Sequence, residues 1–315
     1  MNVANNICLY PVTARIIAAV KTSSLKIFCD LVDTGSFSQA GTMNGVSQPA
    51  VSQQLARLER QLGAQLVSRG GGLLAATPAG KELYRRAREM LRIHEQMLGE
   101  IRSAANAVRG VLRVGTIYSV GFYLLHPVIR EFLQAHPDVD FRVEYTHWSR
   151  IYASVINGEM DLGIVAYPHR QRHIEITPFV REQLVLVCPP DHRLARRKTV
   201  RPRELKGEKF VAFDTHIPTR QQIDATLRDL GVEVQVVMAF DNIEILKRAV
   251  EVGAGVSILP ADNIDREVAG GRLCAVGLAD PARWMRPLGI VRRRGRASTP
   301  AARMLLRLLR RHAQG

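Results

Sequence analysis

The segment SQPAVSQQLARLERQL, residues 47–62, admits few folds. Val51, Leu55, Leu58 and Leu62 recur at spacings of 4, 3 and 4, which gathers them on one helical face that has to be buried. Ser47 is a capping residue, and Pro49 falls in the first turn, where its missing N–H costs nothing. The other side carries Pro49, Ser52, Gln53, Ala56 and Arg60, with Gln48 near the start. Long charged side chains there would hold the helix away from any surface it met. Short amides and hydroxyls let the backbone approach, and Gln and Ser can bond to base edges in a major groove. The competing reading is a solvated polar helix in an unrelated bundle.

The preceding residues favour the first reading. In SSLKIFCDLVDTG, Leu25, Phe28, Cys29 and Val32 form one stripe that stops at Gly35. Ser36 can cap a short helix, FSQAGTMN, which Gly45 ends. Two short helices, a turn and the 47–62 helix make a helix-turn-helix. The following AQLVSRGGGLLAATPAG reads as a short hairpin, a wing with Arg69 near its tip for a phosphate or the minor groove. No GK[ST] follows, so it is no nucleotide phosphate loop. Candidate DNA-contacting residues are Ser36, Ser47, Gln48, Pro49, Ser52, Gln53, Arg57 and Arg69.

Thr77 and Pro78 then open a helix expected to reach Val108. Leu83, Ala87, Met90, His94, Met97, Ile101, Ala104 and Val108 alternate at spacings of 4 and 3, the seam of a helix that pairs with its own kind. Leu83, Ala87, Met90, His94, Met97 and Ile101 are the candidate dimerisation residues, with His94 setting register; packing of the seam on the chain's own body competes.

From Val111 the period changes. VLRVGTI, VDFRVEY, DLGIVAY, QLVLVCP, KFVAF and EVQVVMAF read as strands, and helices, one of them Val120–Ala135, fall between them. Alternation of this kind implies parallel sheet wrapped by crossover helices, in one α/β body or two lobes. The basic C-terminal stretch RRRGR and AARMLLRLLRRHAQG reads as a solvated amphipathic tail, with DNA or membrane-surface contact as alternatives.

Net charge is +15 over 315 residues, which points to a polyanionic partner. Cys8, Cys29, Cys188 and Cys274 lack metal spacing, and His169, His173 and His192 lack partners at such spacing. No GxSxG, HExxH, Walker loop or helix-opening GxGxxG is present, so an enzyme is not expected. Neither a signal peptide nor a bilayer-spanning run is found, and a cytoplasmic location is expected.

LKIFCDLVDTGSFSQA, VSQPAVSQQLARLERQLGAQLVSR, TPAG, DLGIVAY and GAGVSILP together resemble LysR-type transcriptional regulators over about residues 22–295, nearest the sulfur-assimilation and carbon-fixation branch. Three positions depart from the family pattern: Gly41 replaces Ala, Val67 replaces the wing Phe, and Gln53 replaces Arg or Lys. The resemblance implies a winged helix-turn-helix (22–80) after an N-terminal extension (1–21), and a linker helix (78–108) that dimerises. It further implies a periplasmic-binding-protein-like effector domain (110–295) of two Rossmann-like subdomains, 110–175 with 276–295 and 176–275, before a basic tail (296–315). The implied partners are an operator in double-stranded DNA, RNA polymerase, a small effector and further copies of the chain, as dimer or tetramer. No cofactor or metal is expected.

Ligands of open α/β sheets bind at loops after strands. Three such loops offer Thr116, Tyr118 and Ser119, then Ser149 and Arg150, then Thr219 and Arg220, each ahead of a helix. Hydroxyls, guanidinium groups and helix N-termini together favour an anion. The competing function is an α/β small-molecule-binding protein or enzyme whose helix-turn-helix serves only oligomerisation.

Overall fold

In the computed structural model, residues 20–70, 73–103 and 108–313 are described. The chain divides into two units, Met1–Leu98 and Gly99–Gly315.

In the first unit, α1 (Thr22–Thr34), α2 (Phe37–Asn44) and α3 (Gln48–Leu62) lead into a hairpin, β1 (Val67–Gly70) and β2 (Leu73–Ala76), and then α4 (Pro78–Ser103). Ser36 Oγ accepts from the Gln39 N–H at 3.3 Å, and Ser47 Oγ from the Ala50 N–H at 3.4 Å. Gly45 stands at φ 65°, a left-handed conformation that glycine adopts without the strain a side chain would bring, and it ends α2. A Cβ on Gly41 would lie 2.7 Å from the Val46 carbonyl, so the departure from Ala lets this turn close tightly. Phe28, Leu31, Val51, Leu58, Leu66 and Ala87 form the core.

The helix α4 begins at Pro78 as expected and is described as far as Ser103; Val108 lies outside it, and Ala104 falls outside the described residues. Leu83 packs against the unit's own core and Ala87 is 2% exposed within it, so neither is available to a partner helix. The seam emerges beyond them: Met90 and Met97 are each about half exposed and His94 is exposed, with Ile93, outside the predicted seam, exposed beside them. Ile101 continues the spacing along the helix.

The second unit is built on an eight-stranded mixed sheet. One lobe holds β3 (Gly110–Thr116), β4 (Val139–Tyr145) and β5 (Leu162–Ala166), parallel to one another, with α5 (Tyr118–Gly121), α6 (Leu125–Ala135) and α7 (Trp148–Asn157). The expected Val120–Ala135 helix is thus two helices with a turn between them. The other lobe holds β7 (Thr199–Val200), β8 (Lys209–Phe213), α8 (Pro218–Asp229), β9 (Gln235–Phe240), α9 (Ile243–Glu251), β10 (Ser257–Pro260), α10 (Asp265–Ala269) and β11 (Cys274–Leu278). Two long antiparallel strands join them, β6 (Ile174–Cys188) and β12 (Met285–Arg293). The N-terminal half of β6 pairs only with β12, while its C-terminal half also carries β10 and β11. Separate apolar cores lie under each lobe, one centred on Leu112, Phe132 and Ile164, the other on Leu186, Phe210 and Ile258.

The chain returns to the first lobe at β12, since β11 still pairs with β6 and β7. The basic C-terminal segment is no solvated tail. As α11 (Pro300–His312) it buries Ala301, Ala302, Leu305 and Leu309 in the first lobe's core, a helical stripe that a free tail would expose. Its basic residues face outward, and Arg311 and His312 pair with Glu131 of α6.

Candidate DNA-contacting surface and effector cleft

On α3, Val51, Leu55 and Leu58 are buried while Ser47, Gln48, Pro49, Gln53, Ala56, Arg57 and Arg60 are exposed. Ser52 is half-buried among them. The predicted division of the helix into a leucine face and a short polar face is therefore the one the structure shows. Ser36 is half-buried and spends a lone pair on its cap. Arg69 lies on β1 opposite Leu74.

The hairpin is pinned by the TPAG sequence. Thr77 Oγ1 donates to the Gln65 carbonyl at 2.7 Å and accepts from the Gly80 N–H at 3.0 Å, while the Thr77 N–H donates to the Leu66 carbonyl at 3.0 Å. Gly80 passes so close to Leu66 that a Cβ would stand 1.9 Å from its carbonyl oxygen.

In the second unit a cleft of ≈ 250 Å³ opens between the lobes. Tyr118, Ser119, His147 and Trp148 line it from the first lobe, Thr219 and Asp241 from the second, and Arg286 from β12. Arg286 is 2% exposed and sits opposite Glu182 in the register of the two crossover strands. Its guanidinium donates to Glu182 at 2.8 Å, to Ser119 Oγ at 2.8 Å and to Thr219 Oγ1 at 3.2 Å. Burial pushes the Glu182 carboxyl up, and the adjacent guanidinium pulls it back down.

This arrangement prepares two hydroxyls as donors. Each has a lone pair held by Arg286, so its own hydrogen is left to turn toward an acceptor. One hydroxyl comes from each lobe, and the first turn of α8 lines the cleft with Pro218, which has no N–H, and Thr219, whose N–H lies in the first turn where intrahelical partners are lacking. The chemistry suits an oxyanion.

Of the seven predicted effector residues, three line the cleft: Tyr118, Ser119 and Thr219. Thr116 is fully buried and its hydroxyl donates to the Ile117 carbonyl. Ser149 is exposed at the start of α7. Arg150 points into solvent and pairs with Glu144 at 2.8 Å. Arg220 is buried but spent on Asp224 and on the Phe213 carbonyl. Neither guanidinium is the one in the cleft. Arg286 is absent from the sequence-based candidates; its local signal is weak, a charge ahead of the apolar stretch PLGIV in a strand that ends on two further arginines, Arg292 and Arg293.

The family description "Bacterial regulatory helix-turn-helix protein, lysR family" matches residues 22–81, and "LysR substrate binding domain" matches residues 105–314. The chain belongs to the LysR family. It is a LysR-type DNA-binding transcriptional regulator with an effector-binding domain. Among the relatives of this regulator is the HTH-type transcriptional regulator CysL of Bacillus subtilis, 27% identical over 250 residues, covering 78% of this chain and 84% of that one. The probable RuBisCO transcriptional regulator of Cyanophora paradoxa is 30% identical over 255 residues, 79% of each chain. These names agree with the expected sulfur-assimilation and carbon-fixation branch. The regulatory domain of CcmR from Synechocystis, solved with 2-PG, shares the effector unit's fold at TM-score 0.60 and 23% identity, covering 65% of this regulator and 98% of that chain. Among the described residues no helix is long and apolar enough to cross a membrane, and no cluster of His, Cys, Asp and Glu could hold a metal ion.

Proposed function

We propose that this regulator reads an operator with the exposed face of α3 and responds to a small anion bound in the cleft. The observation that carries the effector half is the pair of hydroxyls, Ser119 and Thr219, one per lobe and both oriented by buried Arg286. An anion accepting from both would draw the lobes together and so change the assembly that the exposed Met90, His94 and Met97 seam holds, and through it the DNA bend and the contact with RNA polymerase. The 2-PG recorded in the CcmR structure supports an anionic ligand class.

The test is a thermal-shift and calorimetric screen with sulfate, phosphate and short carboxylates against unliganded protein. Binding of an anion, weakened about 10-fold or more by Ser119→Ala or Thr219→Val, is expected from the loss of a hydrogen bond to a charged group. Exclusive binding of uncharged sugars would sink this reading.

For the DNA face, Gln48, Pro49, Ser52 and Gln53 are proposed to lie in the major groove, with Ser36, Ser47, Arg57 and the wing residue Arg69 at the backbone. Gln48→Ala or Gln53→Ala should lower the ratio of operator to unrelated-DNA affinity about 5- to 150-fold, the worth of one base-reading contact. Affinity for random DNA at low salt should change much less. Equal losses on every sequence would show that α3 does not read bases.

A further inference from the structure

From Pro281 to Gly315 the chain carries ten arginines and no acidic residue. Many exposed arginines elsewhere in the effector unit are answered by carboxylates, as Arg142 is by Asp140, Arg193 by Glu208 and Arg248 by Glu251. On α11 that pattern breaks. Arg303, Arg307 and Arg310 follow spacings of 4 and 3, which sets them in one row along the helix, and all three are exposed. Among the described residues none of the three pairs with a carboxylate. Arg303 donates to the Ser298 carbonyl, and Arg307 reaches the Met304 sulfur at 3.9 Å. Glu131, the α6 carboxylate that meets the helix, is taken by Arg311 and His312.

Local effects do not account for the row. The helix dipole favours cations in the last turn, which covers Arg310 but not Arg303, near the opposite end. Like charges three and four residues apart repel, and a polyanion laid along them would relieve that repulsion. The rest of α11 decides which polyanion. Its apolar stripe, Ala301, Ala302, Leu305 and Leu309, is buried in the first lobe's core, so no apolar face is left to enter a lipid surface. The helix has arginine and no lysine, and a guanidinium can give a phosphate two parallel N–H bonds. At 1.5 Å per residue the row is about 10 Å long, about three phosphate steps along one strand of a duplex. The first unit of the same chain is the helix-turn-helix of a DNA-binding regulator. Duplex DNA is therefore presented to the effector unit as a tethered ligand, and contacts too weak to hold it alone suffice.

We propose that Arg303, Arg307 and Arg310 form a second, sequence-independent DNA contact, made by the effector unit to the phosphate backbone. It goes beyond operator reading by α3 and rests only on the chain's binding to DNA.

Fluorescence anisotropy of the full chain with a long random-sequence duplex, followed across salt concentrations, tests it. Each phosphate contact adds about 0.9 to the slope of log affinity against log salt. Arg303→Gln, Arg307→Gln and Arg310→Gln together should therefore flatten that slope by about 2.7 per chain. Between about 50 and about 200 mM salt, wild-type affinity should then fall about 40-fold more than the variant's. Arg310→Gln alone should flatten the slope by about 0.9, while Arg303→Lys, Arg307→Lys and Arg310→Lys together should keep it. Arg196→Gln, Arg197→Gln and Lys198→Gln remove the same charge from the exposed loop before β7 and should leave the slope alone. A slope unchanged by the α11 substitutions, or flattened equally by both triple variants, overturns the proposal and leaves the α3 reading standing. If the wild-type chain shows no salt-dependent DNA binding, the DNA reading itself falls and this one with it.

Discussion

Arg286→Ala should destabilise the effector-binding unit by about 3–5 kcal/mol, the cost of leaving one member of a buried ion pair without its partner. Glu182 is 5% exposed and has Arg286 as its charged partner at 2.8 Å, so the carboxylate would be left largely buried without its counter-charge. The same change frees Ser119 Oγ and Thr219 Oγ1, so anion binding should vanish with the stability. Chemical denaturation of the separate variants measures the first effect and calorimetry the second. The deficit should depend on pH. Without Arg286 the Glu182 carboxyl, already raised by burial, moves further above its unfolded value. A group with a raised folded pKa contributes stability below its unfolded pKa and loses it as pH rises through the folded one. The variant should therefore lag the parent more at pH 8 than at pH 5. A double change, Glu182→Leu with Arg286→Met, should recover most of the stability, because apolar pairs of similar volume replace buried ion pairs at little cost. It should not recover anion binding. A deficit under 1 kcal/mol in Arg286→Ala would mean that the pair is not buried in solution.

Gly80→Ala should cost the DNA-binding unit about 3 kcal/mol or more, at the top of the range for overpacking, since the obstacle is backbone. The added methyl would meet the Leu66 carbonyl at 1.9 Å, and that carbonyl is held by the Thr77 N–H and cannot swing away. Leu66 is 1% exposed in the core, so a shift there is transmitted to Leu58 and Ala87. Circular dichroism melting of the two units should show the loss confined to the transition of the first, with operator affinity falling in step. An unaltered melt would show that the wing root is looser than the close approach of Gly80 implies.

Much of the first unit was legible before any coordinates. The leucine spacing of α3, the caps at Ser36 and Ser47 and the stop at Gly45 act within a few residues of themselves, so they can be read from a short window. The seam of α4 was legible in its spacing but not in its use. Leu83 and Ala87 obey the same heptad as Met90 and Met97, yet the hairpin and α1–α3 cover the first two and leave the others bare. In the effector unit Tyr118, Ser119 and Thr219 line the cleft, whereas Arg150 and Arg220 do not. Arg150 lies on α7 and Arg220 on α8, and each has an acidic residue nearby in sequence to hold it.

The sequence by itself determined the helix-turn-helix, its polar face, the wing and the alternation of strand and helix, because each of these depends on period, capping and turn chemistry over a dozen residues. Only the tertiary structure decided that Arg286 and Glu182, about a hundred positions apart, stand face to face on two crossover strands, and that α11 closes the first lobe's core. Long-range register and burial set those choices. A residue carries no local mark of which distant strand will lie against it.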